Sequence, residues 1–283
     1  MKNIKYFFQF LIIFFLMIIF KILGLRLSSF LSGKIFNFFG PFFRSNKISH
    51  KNLDIAFPNL DQAKKKEIIK KMWFNYGMIF AEYVFIKKLK DSENIIIENQ
   101  EILERIKKNS KPVIFISGHF NNFELMAMHI ERSGVNLATI YRPLNNIFLN
   151  PLMENIRKKY ICKKQIKKGI SGTKEILQNF KNGTSIALMI DQRVSQGIKL
   201  NFFNKEAFTT TIPAQFVKKF DVEIVPVYIE RLLNNNFKLK FYEPIVFNKN
   251  YTTEKITLDL NKILENMIIK NPDQWIWTHN RWK

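Results

Sequence analysis

Short continuous apolar runs alternate with longer segments in which apolar residues recur at helical spacing. The strand-like runs, rich in β-branched and aromatic residues, lie at residues 113–117, 137–141, 185–190, 223–229 and 237–242. The helical patterns lie near residues 121–132, 147–159, 172–181 and 211–220, with a longer one at 253–269. This alternation predicts the α/β class, with a layered domain whose largely parallel central sheet is flanked by helices.

The N-terminal region is far more apolar than the rest. Residues 6–20 are interrupted only by Gln9, a stretch of about 15 residues where roughly 20 are needed to span hydrocarbon. Lysines at both ends could extend it by snorkelling, so a spanning helix and a signal peptide are both open, although no convincing cleavage site follows. The aromatic segment 30–43 suits either the membrane interface or packing against the following domain. We therefore predict a membrane anchor and interfacial segment at 1–45 and a catalytic domain at 46–283.

The composition of the chain is strongly basic. The 283 residues carry a formal net charge of +22, which predicts attraction to nucleic acid, anionic lipid or an acidic carrier protein. No zinc-ligand spacing or aromatic RNA-binding motif is found, so we expect an anionic membrane as partner and no nucleic acid. Basic residues are denser after the apolar stretch than before it, which predicts a cytoplasmic catalytic domain. The single cysteine, Cys162, excludes an internal disulfide and fits a reducing compartment.

The segment from Gly118 to Glu124 places a histidine and a carboxylate five positions apart directly behind a strand-like run. A helical pattern follows, so His119 is expected at a strand-to-helix turn. On a continuous helix, the two side chains would point about 140° apart, so they meet more easily if His119 precedes the helix. We interpret His119 as a general base whose ring is oriented by Glu124; a purely structural pair is the alternative.

Further polar residues follow the predicted strands, at the sheet edge where ligands bind in parallel α/β folds. Arg142 offers a guanidinium fork for a phosphate or carboxylate. Asp191 could bind a hydroxyl, whereas one isolated carboxylate is weak evidence for a metal, and we predict neither a metal nor a cofactor. Turn chemistry or structural ion pairs are the alternatives for each cluster. The predicted substrate-binding residues are Arg142, Asn145, Asn122, Asp191 and Arg193.

In combination, these motifs resemble the bacterial lipid A late acyltransferases, which belong to the lysophospholipid-acyltransferase-like superfamily. The resemblance covers most of the chain and rests on several motifs in family order. Besides the apolar anchor and residues 118–124, they are Asn52 to Pro58, Tyr141 to Asn146, Phe202-Phe203, Thr209 to Pro213, Val225 to Val227 and Trp275 to Lys283.

The resemblance implies an inner-membrane O-acyltransferase with His119 as base and Glu124 as its partner. It also implies an acyl thioester donor, on acyl carrier protein or coenzyme A, and a glycolipid acceptor, with Arg142 near the substrate. Departures are Asn121 where the family commonly has Gly, Phe123 where it has Trp, and Arg193 where an acidic residue is frequent. The first two should preserve the turn, whereas the third argues against metal binding there and suits an anionic headgroup.

Two other functions remain open from the sequence. The same chemistry could act on another lipid, such as a lysophospholipid, a phosphatidylinositol mannoside or an amino-acid lipid. A noncatalytic protein that binds anionic membrane or nucleic acid through its charge would not need His119 or Glu124, and its binding would weaken with salt.

Overall fold

The computed structural model describes residues 2–44 and 46–283. The helices are α1 (Lys2–Phe43), α2 (Asn46–Ala56), α3 (Gln62–Glu82), α4 (Ile86–Lys90), α5 (Glu101–Asn109), α6 (Glu124–Arg132), α7 (Leu149–Ile156), α8 (Ile170–Lys181), α9 (Ile212–Phe220) and α10 (Thr253–Lys270). The strands are β1 (Ile95–Glu98), β2 (Ile114–Ser117), β3 (Leu137–Tyr141), β4 (Lys164–Lys167), β5 (Ser185–Met189), β6 (Ile198–Phe202), β7 (Lys205–Thr209), β8 (Ile224–Arg231) and β9 (Phe237–Phe241).

The central sheet has seven strands in the order β1-β9-β8-β2-β5-β3-β4. Strands β8, β2, β5, β3 and β4 are parallel, whereas β9 runs antiparallel to β8 and pairs in parallel with β1. The buried apolar strands in the middle of the sheet fit burial on both faces. The predicted α/β fold with a largely parallel sheet is confirmed. The carboxyl ends of β2, β5 and β3 therefore meet at one edge.

The five predicted strands are all present, whereas β1, β4 and the hairpin of β6 and β7 are not predicted. Strand β4 buries only Ile166, so its apolar signal is too weak to detect. The hairpin turns at Phe203 and Asn204, whose φ angles of +50° and +57° are unusual for the phenylalanine. The predicted domain boundary after residue 45 falls at Ser45, which lies outside the described residues.

Helix α1 bends at Gly24, where φ is +78° and ψ is 167°. Glycine adopts this conformation without the steric cost of a side chain. Residues 25–43 then cross α3 closely, since a Cβ on Gly77 would lie 2.2 Å from the Ser32 carbonyl oxygen. The Ser32 hydroxyl donates to the Gly77 carbonyl at 2.6 Å. The segment therefore packs on α3 through small residues, while its other side carries exposed phenylalanines.

Among the described residues, α1 is the one helix long and apolar enough to cross a membrane. Its first segment, residues 2–23, would extend about 33 Å as a continuous helix, which matches the thickness of the hydrocarbon. Together with the exposed apolar side chains along it, this indicates association with a membrane.

Residues 271–283, here called the closing segment, return the chain to the edge where β2 ends. Trp275 forms an antiparallel bridge with Phe120, and both side chains are buried. Asn52 on α2 donates to the carbonyl oxygens of Trp277 at 2.8 Å and His279 at 2.7 Å. The aromatic and basic residues near the end of the sequence are therefore part of the core around the candidate site.

Candidate active site

His119 lies in the tight turn between β2 and α6. The helix starts at Glu124, so His119 precedes it, as predicted. Asn121 has φ +40°, in the left-handed region that asparagine tolerates better than most residues, which explains how it replaces glycine. The Phe123 ring packs edge-on against the imidazole, with ring centroids 4.7 Å apart. The two sequence departures thus preserve the turn and its apolar support.

The imidazole of His119 is oriented by Asp191, which follows β5. Its Nδ1 lies 2.7 Å from Asp191 Oδ1, and the backbone N–H of His119 donates to Oδ2 at 2.7 Å. The indole N–H of Trp275 also donates to Oδ2, at 2.9 Å. With both carboxylate oxygens accepting hydrogen bonds, Nδ1 carries the proton and Nε2 is left as an acceptor. We call these three residues the sheet-edge cluster.

Asp191 remains ionised in this environment. Its complete burial raises the pKa, but attraction to His119 and the hydrogen bonds from His119 and Trp275 outweigh this, and the pKa falls to about 2. The His119 side chain is 19% exposed, and its Nε2 lies 3.4 Å from the Gln192 amide nitrogen. A buried anion thus supports a histidine whose other nitrogen a substrate can approach.

The predicted contact between His119 and Glu124 is wrong, because Nδ1 bonds to Asp191. Glu124 instead accepts from Arg157, whose Nε and Nη2 lie 2.8 Å and 2.6 Å from Oε1, and from the Tyr83 hydroxyl. Arg157 begins a π-helical turn, Arg157–Ile161, directly after α7. Burial opposes its charge, but Glu124 and Tyr83 raise the pKa of Arg157, so its guanidinium remains charged. We call these residues the helix-layer cluster.

A second buried ion pair also supports this turn. Arg231, at the end of β8, donates to Glu82 on α3 through Nη1 at 2.5 Å and Nη2 at 3.1 Å. Asn122 donates to Glu82 Oε2 at 3.0 Å. Gln274 accepts from the side chain of Asn121 and from the Arg231 backbone N–H. The residues that follow His119 are therefore fixed by α3, β8 and the closing segment together.

The predicted substrate-binding residues differ in their exposure to solvent. Arg142 and Asn145 are exposed beyond β3, at the same sheet edge as His119. Asn122 and Asp191 are buried, and their contacts place them behind the histidine rather than on a surface open to substrate. Arg193 is half-buried: its Nε donates to the Lys283 carbonyl at 3.1 Å, and its backbone N–H donates to His279 at 3.0 Å.

A small cavity of about 40 Å³ adjoins His119 and is lined by α3, the turn that carries His119 and the closing segment. Most of its wall is apolar. The lining residues are Met72, Asn75, Tyr76, Ile79, His119, Asn121, Phe123, Asp273, Gln274, Trp275 and Ile276.

Sequence analysis did not identify the supporting residues Tyr83, Arg157, Glu82, Arg231 and Gln274. Arg157 stands before two lysines, and Tyr83 and Glu82 end an ordinary amphipathic pattern. The short π-helical turn that places Arg157 has no sequence pattern by which it could be recognised. These residues are functional candidates only once their contacts with the turn are known.

Comparisons with known proteins identify the family of this chain. The family model of the bacterial lipid A biosynthesis acyltransferases matches residues 1–283. The chain is 23% identical over 247 residues to the lipid A biosynthesis palmitoleoyltransferase of Escherichia coli (strain K12), covering 85% of this chain and 79% of that protein. It is 22% identical over 248 residues to the lipid A biosynthesis lauroyltransferase of the same strain, covering 85% and 79%. This chain is an acyltransferase that belongs to the bacterial lipid A biosynthesis acyltransferase family.

Proposed function

We propose that this enzyme transfers a fatty acyl chain from an acyl thioester to a hydroxyl of a lipid A precursor, with His119 as the general base. The observation that carries the proposal is the hydrogen bond from Nδ1 to the buried Asp191, which leaves the Nε2 lone pair as an acceptor, 3.4 Å from the Gln192 amide nitrogen. The family assignment supports the transfer of acyl groups, and the relatives named above act in lipid A biosynthesis.

In this mechanism, Nε2 takes the proton of the acceptor hydroxyl as its oxygen attacks the thioester carbonyl. The tetrahedral intermediate then collapses with cleavage of the C–S bond. The imidazolium returns the proton to the departing sulfur, so the histidine is neutral again. The ionised Asp191, which lies 2.7 Å from Nδ1, stabilises the imidazolium while it exists. No covalent acyl-enzyme is required.

We assign Glu124 a positioning role in this reaction. Its carboxylate is paired with Arg157 and Tyr83 at the first residue of α6. Holding the start of this helix fixes the turn that carries His119. Arg142 and Asn145 are exposed beyond the end of β3 and are proposed to bind the substrate headgroup.

The excess positive charge supports the proposed donor and acceptor classes. A net charge of +22 favours both an acidic acyl carrier protein and a phosphorylated glycolipid. Coenzyme A, which carries phosphates, is the alternative donor. The basic residues after the apolar segment favour a catalytic domain on the cytoplasmic side of the inner membrane.

The test is mass spectrometry of lipid products formed by purified enzyme from a lipid A precursor and an acyl carrier protein thioester. We expect His119→Ala to lower turnover by roughly 10²- to 10⁴-fold, the usual contribution of a general base. His50→Ala, on α2, is the matched control and should retain activity. Equal turnover in folded His119→Ala and wild type would refute the mechanism.

Parallel reactions test the finer assignments. Coenzyme A thioesters replace the carrier protein in one series, and a lysophospholipid replaces the lipid A precursor in another. Acylation of the lysophospholipid alone would replace the proposed acceptor while preserving the role of His119.

A further inference from the structure

Among the described residues, Gln192 has the one side chain within hydrogen-bond distance of the catalytic nitrogen of His119. Its amide nitrogen lies 3.4 Å from Nε2. Because Nδ1 donates to the carboxylate of Asp191, Nε2 carries a lone pair, and the amide N–H is the donor in this contact. N–H donors usually lie about 2.7–3.2 Å from an oxygen acceptor, so a separation of 3.4 Å indicates a weak bond. A substrate hydroxyl can therefore displace the amide from Nε2 easily.

The backbone is held on both sides of Gln192. On one side, the Asp191 carboxylate bonds to the ring and to the backbone N–H of His119. On the other side, the backbone N–H of Arg193 donates to the His279 ring at 3.0 Å. Gln192 itself is half-buried just beyond the end of β5. A side chain that starts from this fixed backbone stays near Nε2 even when its bond to that atom is broken.

The proposed acyl transfer creates charge on two atoms in one step. As the acceptor hydroxyl attacks, its proton moves to Nε2, and the electron pair of the thioester C=O bond moves onto the carbonyl oxygen. Asp191 stabilises the imidazolium, but its carboxylate is an anion and cannot stabilise the negative oxygen. A hydrogen-bond donor placed where that charge develops is the usual solution in acyl transfer.

The amide of Gln192 lies within reach of this oxygen. The acceptor hydroxyl bonds to Nε2 at about 2.8 Å, and the carbonyl carbon lies about 3–3.5 Å from the hydroxyl oxygen as the attack begins. The carbonyl oxygen is therefore only a few ångströms from the histidine. An amide whose resting position is 3.4 Å from Nε2 is close enough to donate to it.

Protonation of His119 also reverses its contact with Gln192. In the resting enzyme, the amide N–H faces a lone pair on Nε2. Once Nε2 carries the proton it is itself a donor, and two donors cannot bond to each other. The amide N–H then needs another acceptor in the same step in which the carbonyl oxygen becomes negative. The reaction thus shifts this donor from the histidine to the oxyanion.

We propose that Gln192 is a further catalytic residue, whose side-chain N–H binds the oxyanion of the tetrahedral intermediate. When the intermediate collapses, the electron pair returns from the oxygen to the carbonyl bond and the C–S bond breaks. The departing sulfur takes the proton from Nε2, and the amide can again donate to the neutral histidine. This assignment rests on the proposed acyl transfer with His119 as the base.

Steady-state kinetics of the purified full-length enzyme, with an acyl carrier protein thioester and a lipid A precursor, test the role in turnover. Gln192→Met keeps the length of the side chain but removes its N–H donor. We expect kcat to fall by roughly 10²- to 10³-fold, the usual effect of removing one oxyanion donor, with little change in KM. Gln192→Glu, which keeps the shape, should lose at least as much, because its carboxylate repels the oxyanion. Gln215→Met, exposed on α9, is the matched control.

The kinetic result distinguishes this proposal from the proposed function. Unchanged kcat in both Gln192 variants, beside an inactive His119→Ala, would overturn the role of Gln192 and leave the base in place. Unchanged kcat in His119→Ala as well would refute the general-base mechanism, and the role of Gln192 with it.

A binding measurement separates an oxyanion donor from a residue that only orients His119. The probes are two unreactive analogues of the donor on acyl carrier protein. One has an α,α-difluoroketone that hydrates to a tetrahedral centre, and the other has a plain ketone in which a methylene group replaces the sulfur. Contacts made only in the transition state strengthen the binding of the tetrahedral analogue and leave that of the ground-state analogue unchanged.

We expect Gln192→Met to bind the difluoroketone more weakly than wild type, by a factor comparable with its loss of kcat. It should bind the plain ketone as tightly as wild type, which also shows that the variant is folded. A lowered kcat with equal affinity for the difluoroketone in variant and wild type would overturn the proposal, because Gln192 would then act only by orienting the histidine.

Discussion

The sheet-edge cluster and the helix-layer cluster each contain a buried carboxylate close to the catalytic turn, but they differ in the partner of that carboxylate. Asp191 accepts from His119 and Trp275, neither of which is a permanent cation. Glu124 is neutralised by Arg157. Only the first carboxylate has charge available to stabilise an imidazolium as it forms. The charge on the partner of each carboxylate therefore distinguishes the chemistry of Asp191 and Glu124 better than their distance from His119 along the chain does.

The largest expected effect comes from Asp191→Asn. An amide cannot supply the negative charge, and it no longer selects the tautomer with the proton on Nδ1, so kcat should fall by roughly 10²- to 10⁴-fold. The measurement is kcat and its pH profile for folded protein. Asp221→Asn, at an exposed residue paired with Lys249, is the matched control. Unchanged kcat in Asp191→Asn would show that the two carboxylates do not differ as described.

The helix-layer cluster should tolerate removal of its charges better. We expect the double variant Glu124→Met and Arg157→Met to fold and to lose roughly tenfold in kcat, through a less rigid turn. The single variant Arg157→Met leaves a buried carboxylate without its cation and should lose about 3–5 kcal/mol of stability. Thermal unfolding and kcat are measured for both. A double variant as inactive as Asp191→Asn would assign Glu124 a direct catalytic role.

The ion pair between Glu82 and Arg231 provides a third comparison, because it supports the turn without belonging to either cluster. Replacing both residues, as Glu82→Met and Arg231→Leu, should preserve folding and lower kcat by several-fold, with little change in KM. Arg105→Leu with Glu243→Met removes an exposed pair as the control. If the buried pair serves stability alone, the two double variants will have equal kcat.

The last prediction concerns stability rather than turnover. His129 lies on α6, and burial, assisted by Arg132, lowers its pKa to about 4. The unfolded chain takes up this proton near pH 6.5, so stability is full above that pH and decreases as pH falls towards 4. The loss is roughly 3 kcal/mol. His129→Leu should flatten this part of a denaturation profile, and an unchanged slope would contradict the prediction.

The fold was largely predictable because the central strands have strong apolar runs. Strand β4 could not be predicted, since three of its four residues are polar and only Ile166 is buried. The hairpin turn at Phe203 could not be predicted either, because phenylalanine rarely adopts a positive φ. The apolar pattern of a single strand does not show which neighbouring strand will pair with it.

The strand ends that carry the candidate site were predictable, but the hydrogen-bond partner of His119 was not. His119, Asp191 and Arg142 were all expected at strand ends, and parallel neighbouring strands bring those ends to one edge. The choice of Glu124 as partner came from its proximity in sequence. Asp191 is 72 residues away along the chain. Sequence distance does not report the direction of a side chain, which here depends on packing against Trp275.

The closing segment has a consequence for how the enzyme becomes active during synthesis. Gln274 and Trp275, which bond to the turn that carries His119 and to Asp191, are translated long after that turn, since Asn121 and its partner Gln274 are 153 residues apart. A nascent or prematurely terminated chain can therefore reach the membrane with His119 present but unsupported. The hydrogen bonds that hold Asp191 and the turn are complete only after translation has passed Trp275.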